Sequence, residues 1–203
     1  MALPILYSYR RCPYAMRARM ALKYADIEVE IREISLRDKP KHMSAVSSKA
    51  TVPVLVLPDD KVIDESIDVM YWALSQYDID GWLDVDQQLV KSLIAENDTS
   101  FKAALDAYKY AERHPKKTQS EHRVDGEVFL IKLEALLQTN AGLLGALPTL
   151  ADIAIFPFIR QFKGVDSMWF EAAPYPKLNA WLTKLIASDL FASIMQKHPT
   201  YIK

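Results

Sequence analysis

Cysteine is almost missing: the chain of 203 residues contains one, Cys12. A single thiol excludes an internal disulfide and fits a reducing compartment. It also argues against a structural zinc site, because His42, His114, His122 and His198 are dispersed and no second thiol joins them. Glycine is scarce, five residues without a cluster, so no glycine-rich loop is present to cradle a phosphate. Charge of one sign is lacking too. The formal net charge of -1 gives no field to gather nucleic acid or anionic lipid, and Lys116-Lys117 is too short a basic run to do so locally. No apolar run approaches the roughly 20 residues of a membrane-spanning helix. Met1-Ala2-Leu3-Pro4 has neither a basic region nor a long apolar core, so no signal peptide is expected. No serine-nucleophile elbow, internal repeat or low-complexity segment is visible. These absences predict a cytoplasmic protein without metal, nucleic acid or membrane as partner.

What is present is enough for a packed core, since half of the residues are hydrophobic and a quarter charged. Leu3 to Tyr7 is short, apolar and aromatic, as a buried strand would be. Pro13 then suits a first helical position, where its missing N–H costs nothing. Cys12 would sit at the N-cap, where unpaired amides and the positive end of the helix dipole favour an anion. With Arg10, Arg11, Arg17 and Arg19 nearby, such a thiol is expected to titrate below the free value of about 8.5 and to act as a nucleophile. The competing reading is an inert small core residue. Ala15 occupies the place of a second thiol, so Cys12 has no internal partner to resolve a disulfide.

Further along, Met16, Met20 and Tyr24 mark one helix face, and Glu28 to Ile34 alternates as a strand. Val52 to Leu57 turns through Pro58-Asp59-Asp60 into Lys61-Val62-Ile63 as a hairpin. Pro53 lies inside that strand-like run, where it reads either as an edge residue or as a turn around a cis bond. Glu65-Ser66 opens the next helix, as a plain cap or as a carboxylate site made of amides and a hydroxyl. Asp78, Asp80, Asp84 and Asp86 surround Gly81-Trp82-Leu83, and a linker is placed over 78–86. The domains are then 1–77 and 87–203. From Gln87 the pattern is helical, with Leu89, Leu93, Asn97 and Phe101 on one stripe that Leu105 and Tyr108 extend. Thr149-Leu150-Ala151-Asp152 reads as a capping box opening a buried helix, with Asp152 structural and Pro157 expected to kink it.

Cys12-Pro13-Tyr14-Ala15, Thr51-Val52-Pro53-Val54-Leu55 and Asp64-Glu65-Ser66-Ile67 occur in this order. Together they resemble the cysteine-type glutathione transferases, closest to the Omega class. The resemblance implies an α/β plus all-α protein, a thioredoxin-like domain followed by a helical bundle, and assembly as a homodimer. It implies a glutathione site in which Cys12 is catalytic, Val52 offers its backbone beside a cis-Pro53, and Glu65 and Ser66 take the γ-glutamyl end. Lys39, otherwise a solvated loop lysine, would meet the glycyl carboxylate. A hydrophobic co-substrate site would involve Tyr14, Phe101, Leu105 and Tyr108, the last three reading equally as core. The implied activity is glutathione-dependent thiol transfer, covering deglutathionylation and dehydroascorbate-type reduction. The alternatives are conjugation of glutathione to electrophiles, with Tyr7, Ser8, Tyr9 or Tyr14 as hydroxyl donor, and a non-catalytic binding protein. One departure stands out: the family's usual Pro-x-Gly is replaced by Ser48-Lys49-Ala50.

Overall fold

In a computed structural model that describes residues 2–202, the apolar run after Pro4 forms strand β1 (Ile5–Ser8). Helix α1 (Pro13–Tyr24) follows and leads to β2 (Glu30–Glu33), which lies parallel to β1 with Leu6 opposite Ile31. After the short α2 (Lys41–Val46) come β3 (Val54–Val56) and β4 (Val62–Ile63). Both pair antiparallel, giving a sheet in the order β2-β1-β3-β4. The hairpin turn places Asp60 at φ +64°, a left-handed position that a short polar side chain tolerates. Helix α3 (Ser66–Gln76) then packs against α1. Ala15, Ala18 and Ala21 of α1 are small and fully buried. Pro13 starts α1 where a proline belongs, and Lys23 in its last turn suits the negative dipole end.

The chain divides into two compact units between Asp80 and Gly81, and the first of them also takes the segment from Ser188 onward. That split falls inside the linker expected over 78–86, whereas the return of the last segment to the first unit was not expected. Tyr24 anchors the first unit's last residues, donating to Asp78 and accepting from the Asp80 amide at 2.7 Å. At the far end, α10 (Asp189–Ile194) packs on α1, and Tyr201 donates its amide to the Glu33 carbonyl at 2.7 Å, extending the β2 edge. With α3 and α10 against it, α1 is buried over most of its surface and not only along Met16 and Met20.

The second unit is helical. Asp86 caps α4 (Gln87–Glu96) by accepting from the amides of Gln88 and Leu89. A π-turn, Asn97–Phe101, joins α4 to α5 (Lys102–Lys109) without a break. Val90, Leu93, Ile94, Asn97 and Phe101 are buried, while Leu89, in the first turn of α4, lies exposed and off the expected stripe. Thr118 and Glu121 form a capping box at α6 (Gln119–Leu136). Gly126 of α6 meets Phe162 so closely that a Cβ would fall 2.4 Å from the ring. Helix α7 (Leu150–Lys163) runs unbroken through Pro157, followed by α8 (Ser167–Ala172) and α9 (Pro176–Ile186). Among the described residues, no helix is long and apolar enough to cross a membrane.

Asp152 organises this unit. Its carboxylate is fully buried and accepts four hydrogen bonds, from the Thr149 amide and hydroxyl, the Leu143 amide and Trp181 Nε1, all at 2.7 or 2.8 Å. It thus joins the start of α7 to the preceding loop and to α9. Glu134 of α6 does the same for α9, accepting from the amides of Lys177 and Leu178. Replacing Asp152 by alanine leaves those donors buried without an acceptor. A bond to a charged group is worth ~1.5–3 kcal/mol, so Asp152→Ala is expected to lower unfolding stability by roughly 3 kcal/mol or more. Urea denaturation measures it; a loss below about 1 kcal/mol would show that the carboxylate is dispensable.

Candidate active site

Cys12 occupies the N-cap of α1, with extended backbone angles, and Pro13 begins the helix proper. Its amide donates to the Tyr9 carbonyl and its own carbonyl accepts from Met16, which holds the residue at the bend between β1 and α1. The side chain is half-buried, and Sγ lies 3.8 Å from the Val52 carbonyl oxygen. The Val52–Pro53 peptide is cis. Two segments distant in sequence, the first helix start and the turn before β3, thereby meet at the thiol.

The start of α3 is tied to the same place through a residue that sequence periodicity does not single out. Arg17, one turn into α1, is buried and donates from Nε at 3.0 Å and Nη2 at 2.8 Å to Ser66 Oγ. Its guanidinium also lies over the Tyr14 ring, 5.0 Å from the centroid. A serine oxygen that accepts twice has used its lone pairs, so the Ser66 hydroxyl hydrogen points away from Arg17, free to donate. Glu65, the N-cap of α3, is exposed and holds Lys49, which also reaches Asp64 at 3.3 Å. Ser47 donates to the other Asp64 oxygen at 2.7 Å, and this bond, with Lys49, keeps the carboxyl below its ordinary value. Lys39 is exposed, and no hydrogen bond or ion pair among the described residues joins it to Cys12, Glu65 or Ser66.

The remaining candidates divide sharply. Tyr7 is fully buried, its hydroxyl bonded to His42 Nδ1 at 2.7 Å and accepting from Arg32 at 2.8 Å. Ser8 accepts from Arg19, and the Tyr9 hydroxyl accepts from Arg11. Phe101, Leu105 and Tyr108 are core residues of the helical unit. Phe101 stacks near Phe129 and Phe162, and Tyr108 near Phe162, so packing accounts for all three and the co-substrate role is not needed to explain them. A cavity of about 600 Å³ in that unit lies over Ala103, Ala104 and Ala107 of α5 and contains none of the candidate residues. Among the described residues, no group of histidine, cysteine and carboxylate side chains could hold a metal ion.

Comparison with known proteins follows these positions. The glutathione S-transferase N-terminal domain family matches residues 6–81, and the C-terminal domain family of the same name matches residues 129–184. The chain belongs to the glutathione S-transferase superfamily. It lies near the Omega class. Human glutathione S-transferase omega-2 is 39% identical over 62 residues, 30% of this chain and 26% of that protein. Glutaredoxin 2 of Escherichia coli (strain K12) is 31% identical over 68 residues, 34% of this chain and 31% of that protein. These matches therefore span about a quarter to a third of the relatives' length. Among solved structures, glutathione transferase Omega 2C from Trametes versicolor superposes with a TM-score of 0.79 at 19% identity, covering 97% of this chain and 94% of that one. That likeness shows a shared glutathione transferase fold.

Within that fold the departure at Ser48-Lys49-Ala50 has a structural answer. Ala50 adopts φ +49°, the left-handed conformation that favours glycine, and its amide bonds to the Ser47 carbonyl at 3.2 Å. The turn is kept at a steric cost of roughly 1–2 kcal/mol.

The thiol itself corrects the sequence expectation. Burial pushes Cys12 above its ordinary value; the amides of Ala15 and Tyr14 and the charges of Arg19 and Arg17 pull the other way without overcoming it. Burial lowers Arg19 as well, to about 10, which still leaves its charge in place at neutral pH. In the ligand-free protein the alkylation rate of Cys12 is therefore expected to rise about tenfold per pH unit near neutrality, without levelling off below about pH 8.5. Iodoacetamide labelling across a pH series checks this, and a midpoint below the free-thiol value would contradict it.

Proposed function

We propose that this protein is a glutathione-dependent thiol transferase and reductase that works through a mixed disulfide at Cys12. The observation that carries the reading is the placement of the chain's one thiol at a helix start, beside the Val52 carbonyl. Conjugation would need a hydroxyl donor for glutathione's own thiolate. Tyr7 and Ser8 are fully buried, with the Tyr7 hydroxyl held between His42 and Arg32. The likeness to both an omega transferase and a glutaredoxin supports the same choice.

In this reading the γ-glutamyl carboxylate takes the amides at the start of α3 and the Ser66 hydroxyl, and the ammonium takes Glu65. The cysteinyl backbone pairs with Val52 beside Pro53, and Lys39 meets the glycyl carboxylate. Cys12 loses its proton to solvent, and its thiolate attacks the glutathionyl sulfur of a mixed disulfide. The S–S bond breaks, and the departing thiolate takes up a proton. A second glutathione thiolate then attacks the Cys12–glutathione bond, releases oxidised glutathione and restores the thiol. The two electrons come from glutathione. Dehydroascorbate-type reduction uses the same reductant and the same thiol. A cytoplasmic homodimer acting on a small hydrophobic or disulfide co-substrate belongs to this reading.

The raised thiol value shapes the kinetics. A higher value leaves less thiolate at neutral pH but makes that thiolate a stronger nucleophile and a poorer leaving group. The adduct at Cys12 is therefore expected to persist until a second thiol arrives. Intact mass after treatment with oxidised glutathione is expected to rise by one glutathionyl group, reversibly with reductant. Cys12→Ala should lose the adduct and the thiol-transfer activity together. Conjugating activity retained in Cys12→Ala, with no adduct in the wild type, would overturn the assignment.

A further inference from the structure

Ser48-Lys49-Ala50 does more than preserve a turn. Its lysine is carried onto the acidic pair at the start of α3, where Nζ donates to Glu65 and to Asp64. Three features hold it there. Ala50 turns the chain at φ +49°, its amide closes the turn on Ser47, and the Ser47 hydroxyl fixes the far oxygen of Asp64. Glu65 is the residue next to Ser66, whose hydroxyl hydrogen points away from Arg17. One ammonium group thus already rests where a ligand's ammonium would arrive.

We propose that Lys49 is a specificity-determining residue that stands in for the ligand's ammonium at Glu65, so that the site accepts γ-glutamyl-type thiols with or without a free amino group. The inference rests on the glutathione reading given above and deepens it. Two carboxylates share one lysine, so Lys49 has two places to stay. A ligand with an ammonium takes Glu65 while Lys49 keeps Asp64. A ligand without one leaves Lys49 across both carboxylates, and no negative group near the ligand is stranded. In either case the exchange trades one exposed ion pair for another, which makes it nearly neutral in free energy.

Removing the lysine breaks this balance. In Lys49→Met, glutathione gains an uncontested Glu65, whereas a deaminated analogue sits beside an unpaired carboxylate. An exposed ion pair is worth about 0.2–1 kcal/mol, which corresponds to a preference for glutathione of up to about fivefold. The experiment is calorimetric titration of the full chain with glutathione and with glutaryl-cysteinyl-glycine, the same tripeptide lacking the amino group. Wild type is expected to bind the two with similar affinity, and Lys49→Met to favour glutathione about threefold to fivefold beyond the wild-type ratio. Lys49→Arg should keep the wild-type ratio. Thermal unfolding of each variant confirms that the fold is intact. An unchanged ratio in Lys49→Met would overturn the proposal, and so would a parallel loss for both ligands, which would mean a contact to a carboxylate they share. Failure of wild type to bind either ligand would overturn both this proposal and the glutathione reading beneath it.

Discussion

The candidate site depends on one buried guanidinium. Arg17 lies in the first turns of α1, bonds twice to Ser66 at the start of α3, and packs over Tyr14. Burying a charge is costly unless polar groups replace the lost water. Once made, these bonds fix the distance and the rotation between the two helices. Cys12 and Ser66 each sit at a helix start, so fixing the helices also fixes the thiol relative to the hydroxyl.

The helical unit shows the same solution with the opposite charge. Asp152 is buried and surrounded by neutral donors. Hydrogen bonds to a charged acceptor are directional, and a set of four admits one arrangement of loop, helix start and Trp181. Hydrophobic packing alone is more permissive, since aliphatic side chains of similar volume exchange at modest cost. Each unit thus combines an adaptable apolar core with one buried charge that selects its geometry.

Local rules were readable from sequence, and contacts between distant segments were not. The strand-helix-strand start, the hairpin, the N-cap at Cys12 and the capping box at Thr149 all rest on neighbouring residues, and the structure contains each of them. The return of α10 to α1 has no local signature, because an amphipathic helix does not state which partner covers it. The π-turn at Asn97 was hidden for a similar reason: one added residue per turn shifts the phase without changing the composition. The pairing of Lys49 has no local signature, because its partners, Asp64 and Glu65, follow 15 and 16 positions later. Phe101, Leu105 and Tyr108 fit a core stripe and a ligand wall equally well in sequence, and it is their burial, with the ring contacts of Phe101 and Tyr108, that places them in the core.

The thiol illustrates how competing local terms need magnitudes to be ordered. A helix start and nearby arginines argue for a depressed value, and the amides of Ala15 and Tyr14 with the charges of Arg19 and Arg17 do act in that direction. Coulomb attraction weakens with distance, and the amides at a helix start carry only partial charges. Desolvation acts on the sulfur itself and sets in as soon as the surrounding side chains close over it. Cys12 is packed against the apolar cluster of Tyr7, Ala15 and Val52, so the last term prevails. The result is a thiol whose ligand-free form stays protonated at neutral pH. Such a thiol is spared from indiscriminate oxidation, because the thiolate is the form that oxidants attack. In the thiol-transfer reading proposed above, a disulfide placed against Sγ would meet few but strongly nucleophilic thiolates.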